Sequence, residues 1–259
     1  MNGRHRPTLH LVRLAAAALA LVAVAAISWA FLIASEAAMT TMTGAGIAVR
    51  LMALTMAPTE ALPYLAAATL MWMVMMLAMM VPAALPMAAV FRRIDRGTSP
   101  DLDSFILVWG YLAAWMIFSA AAAALQWWLH ARGLLHGMML IGGTTLAAAL
   151  LIAAGVYQLT PLKDACLARC RSPLGFFLAH WRDGRSGAFV MGLRHGVFCI
   201  GCCWALMLLM FVGGAMSVTT MAVLCVFVLA ERLLPAGPWV AKLPGLALIV
   251  WGTAVLVAR

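Results

Sequence analysis

The stretch R-H-G-V-F-C-I-G-C-C-W-A-L-M-L-L-M, Arg194–Met210, is apolar enough to cross a membrane as a helix, yet it carries three of the chain's cysteines. On a helix, His195, Cys199, Cys202 and Cys203 fall on one face, because successive residues are about 100° apart. Thiolate and imidazole are ligands for soft metals, above all Cu(I), with Zn(II) as the alternative. Cysteines on an apolar helix also occur as small hydrophobic side chains, so the pattern by itself leaves that alternative open.

Composition places the whole chain among membrane proteins. Hydrophobic residues make up 66% of its 259 residues and charged residues only 10%, which is far from the composition of soluble domains. A helix needs about 20 residues to cross a hydrocarbon core of ~30 Å. We therefore predict one integral membrane domain, residues 1–259, folded as an all-α transmembrane bundle of about seven spans. The predicted spans are 12–33, 62–90, 104–129, 138–159, 188–213, 217–234 and 243–258.

The positions of the positive charges predict an orientation. With the N-terminus in the cytoplasm, most of the 17 Lys and Arg residues fall on the inner side, and five of them lie in the predicted inner loop 160–187. This asymmetry follows the positive-inside rule and gives N-terminus in and C-terminus out. The net charge of +9 is thus explained by topology, and the expected partner is the lipid bilayer rather than nucleic acid. The inner charges are Arg4, Arg6, Arg13, Arg92, Arg93, Arg96, Lys163, Arg169, Arg171, Arg182, Arg185, Arg232 and Lys242.

The other three cysteines lie outside this stretch. Cys166 and Cys170 belong to the inner loop, and they share a face if Lys163–Arg171 is helical. Because the cytoplasm is reducing, we expect free thiols or metal ligands there rather than a disulfide. Cys225 falls near the middle of the sixth predicted span and is a further candidate ligand.

The second predicted span is rich in methionine. Met76 and Met80 reach about the same depth in the bilayer as the cysteines of the fifth span, so they are candidate thioether ligands. Adaptable packing is the alternative explanation for such a helix. Pro82 and Pro86 should interrupt its hydrogen bonds and free backbone carbonyls in its inner half.

Further soft donors lie on the predicted outer side, where they could collect copper; an apolar interfacial surface and solvated loop histidines are the alternatives. They are Met39, Met42, Met52 and Met56 before the second span, and His130, His136, Met138 and Met139 after the third. Within the fifth span, Ala188, Gly192 and Gly196 predict close helix packing. We expect Arg194 to pair with Glu231, since an unpaired charge in the membrane is costly.

Several segments together resemble the predicted metal-binding integral membrane proteins, a bacterial family. They are W-M-V-M-M-L-A-M-M-V-P (72–82), Y-Q-L-T-P-L-K-D-A-C-L-A-R-C-R-S-P (157–173), W-R-D-G (181–184), G-L-R-H-G-V-F-C-I-G-C-C-W-A-L-M (192–207) and the inner-end Glu231. The resemblance covers about residues 62–235. It implies metal binding with copper as the leading candidate, in the bacterial inner membrane. Some members are associated with copper supply to tyrosinase-type enzymes, which implies a cuproenzyme or a soluble copper chaperone as partner.

Three functions remain open on the sequence. The favoured one is an inner-membrane protein that moves Cu(I) or hands it over, which is not an enzymatic activity. The second is a membrane thiol oxidoreductase that uses Cys199–Cys202 and Cys166–Cys170 as dithiols, although the outer side has no cysteine to receive electrons. The third is an assembly factor whose thiols only pack.

Overall fold

The computed structural model describes residues 5–41, 46–56, 60–95, 97, 99–136, 140–234 and 239–258. Within these ranges the chain is almost entirely helical, which confirms the all-α class. The helices are α1 (His5–Thr41), α2 (Ile47–Met56), α3 (Ala61–Ile94), α4 (Pro100–Ala131), α5 (Thr144–Gln158), α6 (Pro161–Arg171), α7 (Pro173–His180), α8 (Gly184–Leu208), α9 (Met210–Gly213), α10 (Val218–Leu233) and α11 (Trp239–Val257). One antiparallel hairpin, β1 (Leu135–His136) with β2 (Leu140–Ile141), interrupts them.

Four helical segments of the described chain are long and apolar enough to cross a membrane. They are Ala15–Ala38, Ala61–Ile94, Pro100–Ala131 and Gly184–Gly213, and they are consistent with a membrane protein. Helices α5 and α6 meet at 64° and form a fifth span only if the bent pair is counted as one. Helix α10 has 16 residues, fewer than the about 20 that a perpendicular crossing takes. Seven spans therefore stay a prediction.

Two segments differ from their predicted structure. The span expected to begin at residue 138 begins instead at Thr144, because the β hairpin extends to Ile141. Gly142 follows directly, and a Cβ there would lie 2.2 Å from His136 Nδ1, so the absence of a side chain leaves room for the His136 ring. The expected inner loop 160–187 is mostly helical, as α6 and α7, because a proline at the first position of each helix suits its start.

Helices α4 and α8 pack with their backbones almost in contact. A Cβ on Gly192 would lie 1.9 Å from Leu107 O, and one on Gly110 would lie 2.1 Å from Phe189 O. Gly196 similarly faces the Ala114 methyl group at 2.6 Å. The close helix packing predicted from the small residues of the fifth span is confirmed, and it brings α4 side chains beside the cysteine face of α8.

Helix α3 continues through both of its prolines and forms the centre of the core. Pro82 has no N–H to donate, which leaves Ala78 O without its helical partner. Trp29 Nε1 of α1 donates to that carbonyl at 3.1 Å, so α1 supplies the hydrogen bond that α3 cannot make there. The carbonyl oxygen of Met80 likewise accepts a hydrogen bond from Tyr111 of α4 at 3.2 Å.

Candidate metal centre

The cysteine face of α8 points into the protein. Cys199, Cys202 and Cys203 are all buried. The Sγ atoms of Cys202 and Cys203 lie 3.0 and 3.1 Å from Cys199 O, one turn earlier in the helix. Helical spacing therefore gathers the side chains on one patch, as the sequence predicted.

Helix α6 adds its two cysteines to this patch. Cys170 Sγ lies 3.9 Å from Cys202 Sγ. Cys166 Sγ lies against Gly201, where a Cβ would be only 2.9 Å from the sulfur. The predicted helix over Lys163–Arg171 is present as α6. However, its thiols do not form a separate inner-side group, since the turn between α5 and α6 lays α6 along α8.

Arg232, at the end of α10, reaches the same sulfur atoms. Its Nη2 lies 2.7 Å from Cys199 Sγ, 3.3 Å from Cys202 Sγ and 4.0 Å from Cys203 Sγ. From the sequence we interpreted Arg232 only as part of the inner positive charge, so this contact was missed. No local signal could have found it, because 33 residues separate Arg232 from Cys199.

Tyr111 of α4 closes the opposite side of the cluster. Its hydroxyl lies 3.1 Å from Cys199 Sγ and donates to Met80 O. Nothing in the local sequence singles out this tyrosine as part of the site. The α3 methionines Met76 and Met80 are buried, and their role as thioether ligands stays a prediction. Tyr111 connects α3 to the cluster, because its hydroxyl contacts both the Met80 carbonyl oxygen and Cys199 Sγ.

His195 is buried four residues before Cys199, and its ring packs on Phe176 with 5.0 Å between ring centroids. Among the described residues, His195 Nδ1 has no hydrogen-bond partner. An unsatisfied buried nitrogen is costly in an apolar site. His195 as a metal ligand stays a prediction.

Cys225 lies apart from the cluster. It is on α10, seven residues before Arg232, which places it about 10 Å further along the helix axis. Its sulfur lies 4.0 Å from Met79 O. The structure thus brings together five of the candidate cysteines and leaves Cys225 outside.

The predicted pair between Arg194 and Glu231 is wrong. Glu231 Oε1 lies 2.5 Å from Lys163 Nζ and accepts a hydrogen bond from Gln158 Nε2 at 3.0 Å, whereas Arg194 is exposed. Arg194 projects away from the packed face of α8, while α6 carries Lys163 directly against α10. The buried ion pair therefore joins α6 to α10 beside the cluster.

Three of the outer-side donors, His130, His136 and Met56, have described side chains. His130 Nδ1 is already hydrogen-bonded to Tyr64 Oη at 3.2 Å, and Met56 is exposed on α2. His136 packs over Gly142 in the hairpin. Met42, Met138, Met139 and the side chains of Met39 and Met52 lie outside the described residues.

Across the part of the chain that the structure describes, no three His, Cys, Asp or Glu side chains are arranged to hold a metal ion as they stand. The Arg232 guanidinium lies against the α8 sulfurs instead. The donor set still fits a soft monovalent ion, because Cu(I) prefers thiolate ligands.

A family model gives independent information on the chain. The model of the PpoB2 family, described as a copper chaperone, matches residues 69–255. Nothing among curated proteins or solved structures matches the chain significantly. The matched region contains all of the cysteines and Arg232.

Proposed function

Since the chain belongs to the PpoB2 copper chaperone family, we propose that it binds Cu(I) through the thiolates at the α6–α8 contact and hands the ion to a cuproenzyme. The observation that carries this proposal is the convergence of Cys166 and Cys170 on Cys199, Cys202 and Cys203. These thiols come from two separate helices and meet in the buried interior of the bundle. Simple packing needs no such concentration of sulfur.

The surroundings favour Cu(I) over Zn(II). Structural zinc takes four ligands in a tetrahedron, and four thiolates would leave two negative charges on the site. Cu(I) with two thiolates leaves only one. In a core lined by methionine and aromatic side chains, the smaller residual charge costs less free energy.

We place the protein in the bacterial inner membrane, with the N-terminus and the α6–α7 segment in the cytoplasm. The four long apolar helices support a membrane location, and Lys163, Arg169 and Arg171 of α6 support the cytoplasmic side by the positive-inside rule. The predicted topology has about seven spans, with α5, α10 and α11 as the short ones.

The different burial of the α6 and α8 thiols suggests the order in which they would pass on copper. Cys166 and Cys170 are half-buried, whereas the three thiols of α8 are fully buried. A partner that exchanges copper by ligand replacement meets α6 first, so we propose that Cys166 and Cys170 pass the ion between the partner and α8.

The test is the copper content of protein purified anaerobically under reducing conditions. We expect about one Cu(I) per chain in the wild type and loss of most of it in Cys202→Ser, because occupancy depends on the deprotonated thiols. Met80→Leu, a change of similar size, should weaken binding only modestly. Cys225→Ser is the matched control and should retain the wild-type content.

One outcome would contradict the assignment of copper to the α8 thiols. Full copper content in a Cys199/Cys202/Cys203→Ser variant would remove the α8 thiols from the proposal. The search would then move to the outer methionines and histidines.

The short distance between two cysteines supports a second candidate function, that of a thiol oxidoreductase. The 3.9 Å between Cys170 Sγ and Cys202 Sγ is short enough for a disulfide to form after a small side-chain movement, as a thiol oxidoreductase would require. Counting free thiols before and after a mild oxidant separates the two functions. A reversible Cys170–Cys202 disulfide in protein that binds no copper would support the redox function.

A further inference from the structure

One nitrogen of Arg232 lies against three of the sulfurs that we propose as copper ligands. Its Nη2 is within 4.0 Å of the sulfurs of Cys199, Cys202 and Cys203. The same nitrogen is 3.5 Å from Cys199 O. The guanidinium therefore supplies the positive charge that these thiols face in the structure.

A bound ion and this nitrogen exclude each other. Metal–thiolate bonds are about 2.3 Å long, so an ion held by Cys199 and Cys202 lies between their sulfurs. Nη2 is already 2.7 Å from the first sulfur and 3.3 Å from the second. Two cations in this gap would overlap and would also repel each other strongly in a medium of low dielectric constant.

We propose that Arg232 is the resident counter-cation of the empty thiol site and that Cu(I) displaces its side chain towards the inner membrane surface. This inference rests on the proposed function, because it uses the same sulfur atoms as ligands. Copper stays Cu(I), no electron is transferred, and the guanidinium leaves with its protons.

The exchange conserves charge at the site. One positive charge leaves the sulfurs as another arrives, so loading does not change the number of positive charges beside them. Uncompensated charge would otherwise be the main cost of loading or emptying such a site.

The position of Arg232 on α10 allows the movement. It lies in the last turn of the helix, followed by Leu233 and Leu234, which are exposed. A long arginine side chain at a helix end can extend to the membrane interface. The preceding residue, Glu231, is held by Lys163, so the helix end stays in place while the Arg232 side chain moves.

The experiment measures modification of Arg232 by phenylglyoxal in the full-length wild-type protein, with and without Cu(I), by peptide mass spectrometry. We expect Arg232 to be protected without metal and its modification to rise about tenfold, towards that of exposed Arg185, when copper is bound. Ag(I), a soft ion of the same charge that undergoes no redox change here, should give the same rise.

The controls separate this inference from the proposed function. In Cys199/Cys202/Cys203→Ser, added Cu(I) should leave Arg232 modification unchanged. The Arg232→Lys variant provides an independent measurement. Acetylation of the amine at position 232 should rise on copper binding in the same way. Copper content is measured first in every sample.

Each result then has one meaning. A wild type that holds no copper at these cysteines overturns the proposed function and this inference together. A wild type that holds cysteine-dependent copper while Arg232 stays protected overturns only the inference, and shows that the guanidinium remains beside the loaded site.

Discussion

At the scale of single residues, the site depends on a few atoms that local sequence patterns do not single out. Gly201 lies beneath Cys166 Sγ and its carbonyl accepts a hydrogen bond from Tyr157 Oη. A Cβ at position 201 would lie 2.9 Å from that sulfur, so the Cys166 side chain would have to move. The glycine therefore leaves room for the Cys166 side chain, and no special backbone angle requires it.

Gly201→Ala tests this role. The new methyl group would lie 2.9 Å from Cys166 Sγ, so we expect the Cys166 side chain to turn away, at a cost in stability of about 1 kcal/mol. Alkylation of Cys166 should become faster and copper transfer to an external chelator slower. Gly46→Ala is the control, because a Cβ there meets nothing within 4 Å. Unchanged alkylation of Cys166 would contradict the assigned contact.

At the scale of helices, a buried ion pair fixes α6 to α10 and so positions Arg232. Lys163 Nζ and Glu231 Oε1 are fully buried together, with Gln158 donating to the same carboxylate. Arg171 Nε donates to Glu231 O at 2.7 Å. These contacts hold the end of α10 beside the cysteines, although none of the atoms involved is a soft-metal ligand.

Glu231→Gln should destabilise the protein strongly. It leaves the Lys163 ammonium buried without a counter-charge, which costs about 3–5 kcal/mol when one partner of a buried pair is removed. The thermal midpoint in detergent should fall clearly. The same change at exposed Glu60 should have almost no effect. A Lys163→Met/Glu231→Met double variant should recover part of the loss, since it removes both buried charges.

At the scale of the whole molecule, the helices form a bundle in which the thiol cluster lies among α4, α6, α8 and α10. Close backbone packing at Gly192 and Gly110 joins α4 to α8. The bend of 64° between α5 and α6 changes the direction of the chain, so that α6 packs against α8. The thiols of α6 are half-buried and those of α8 are buried, so α6 carries the more accessible part of the cluster.

Reporter fusions test the orientation of the bundle. A fusion after Asp183 should give a cytoplasmic signal and one at the C-terminus an external signal, because the segment around α6 carries a high density of positive charge. The same side for both fusions would mean an even number of crossings between them. In that case one of the short helices α10 and α11 would not cross the membrane.

The sequence by itself determined what depends on neighbouring residues in the chain. Hydropathy predicted the long helices, and helical periodicity predicted the shared face of Cys199, Cys202 and Cys203. Small residues predicted the close approach at Gly192, and a common face for Cys166 and Cys170 followed from their four-residue spacing. The nature of the side chains indicated soft-metal chemistry. Each of these properties is local, so no knowledge of the fold was needed.

Only the tertiary structure decided which distant groups meet. Tyr111 lies 88 residues from Cys199 and Arg232 lies 30 residues from Cys202, and Glu231 pairs with Lys163 rather than Arg194. These contacts follow from how helices cross and from which side chain each crossing buries. A single charge such as Arg232 satisfies the positive-inside rule equally well at the surface or against three thiols. The packing of α10 against α6 is what sets it beside the sulfurs.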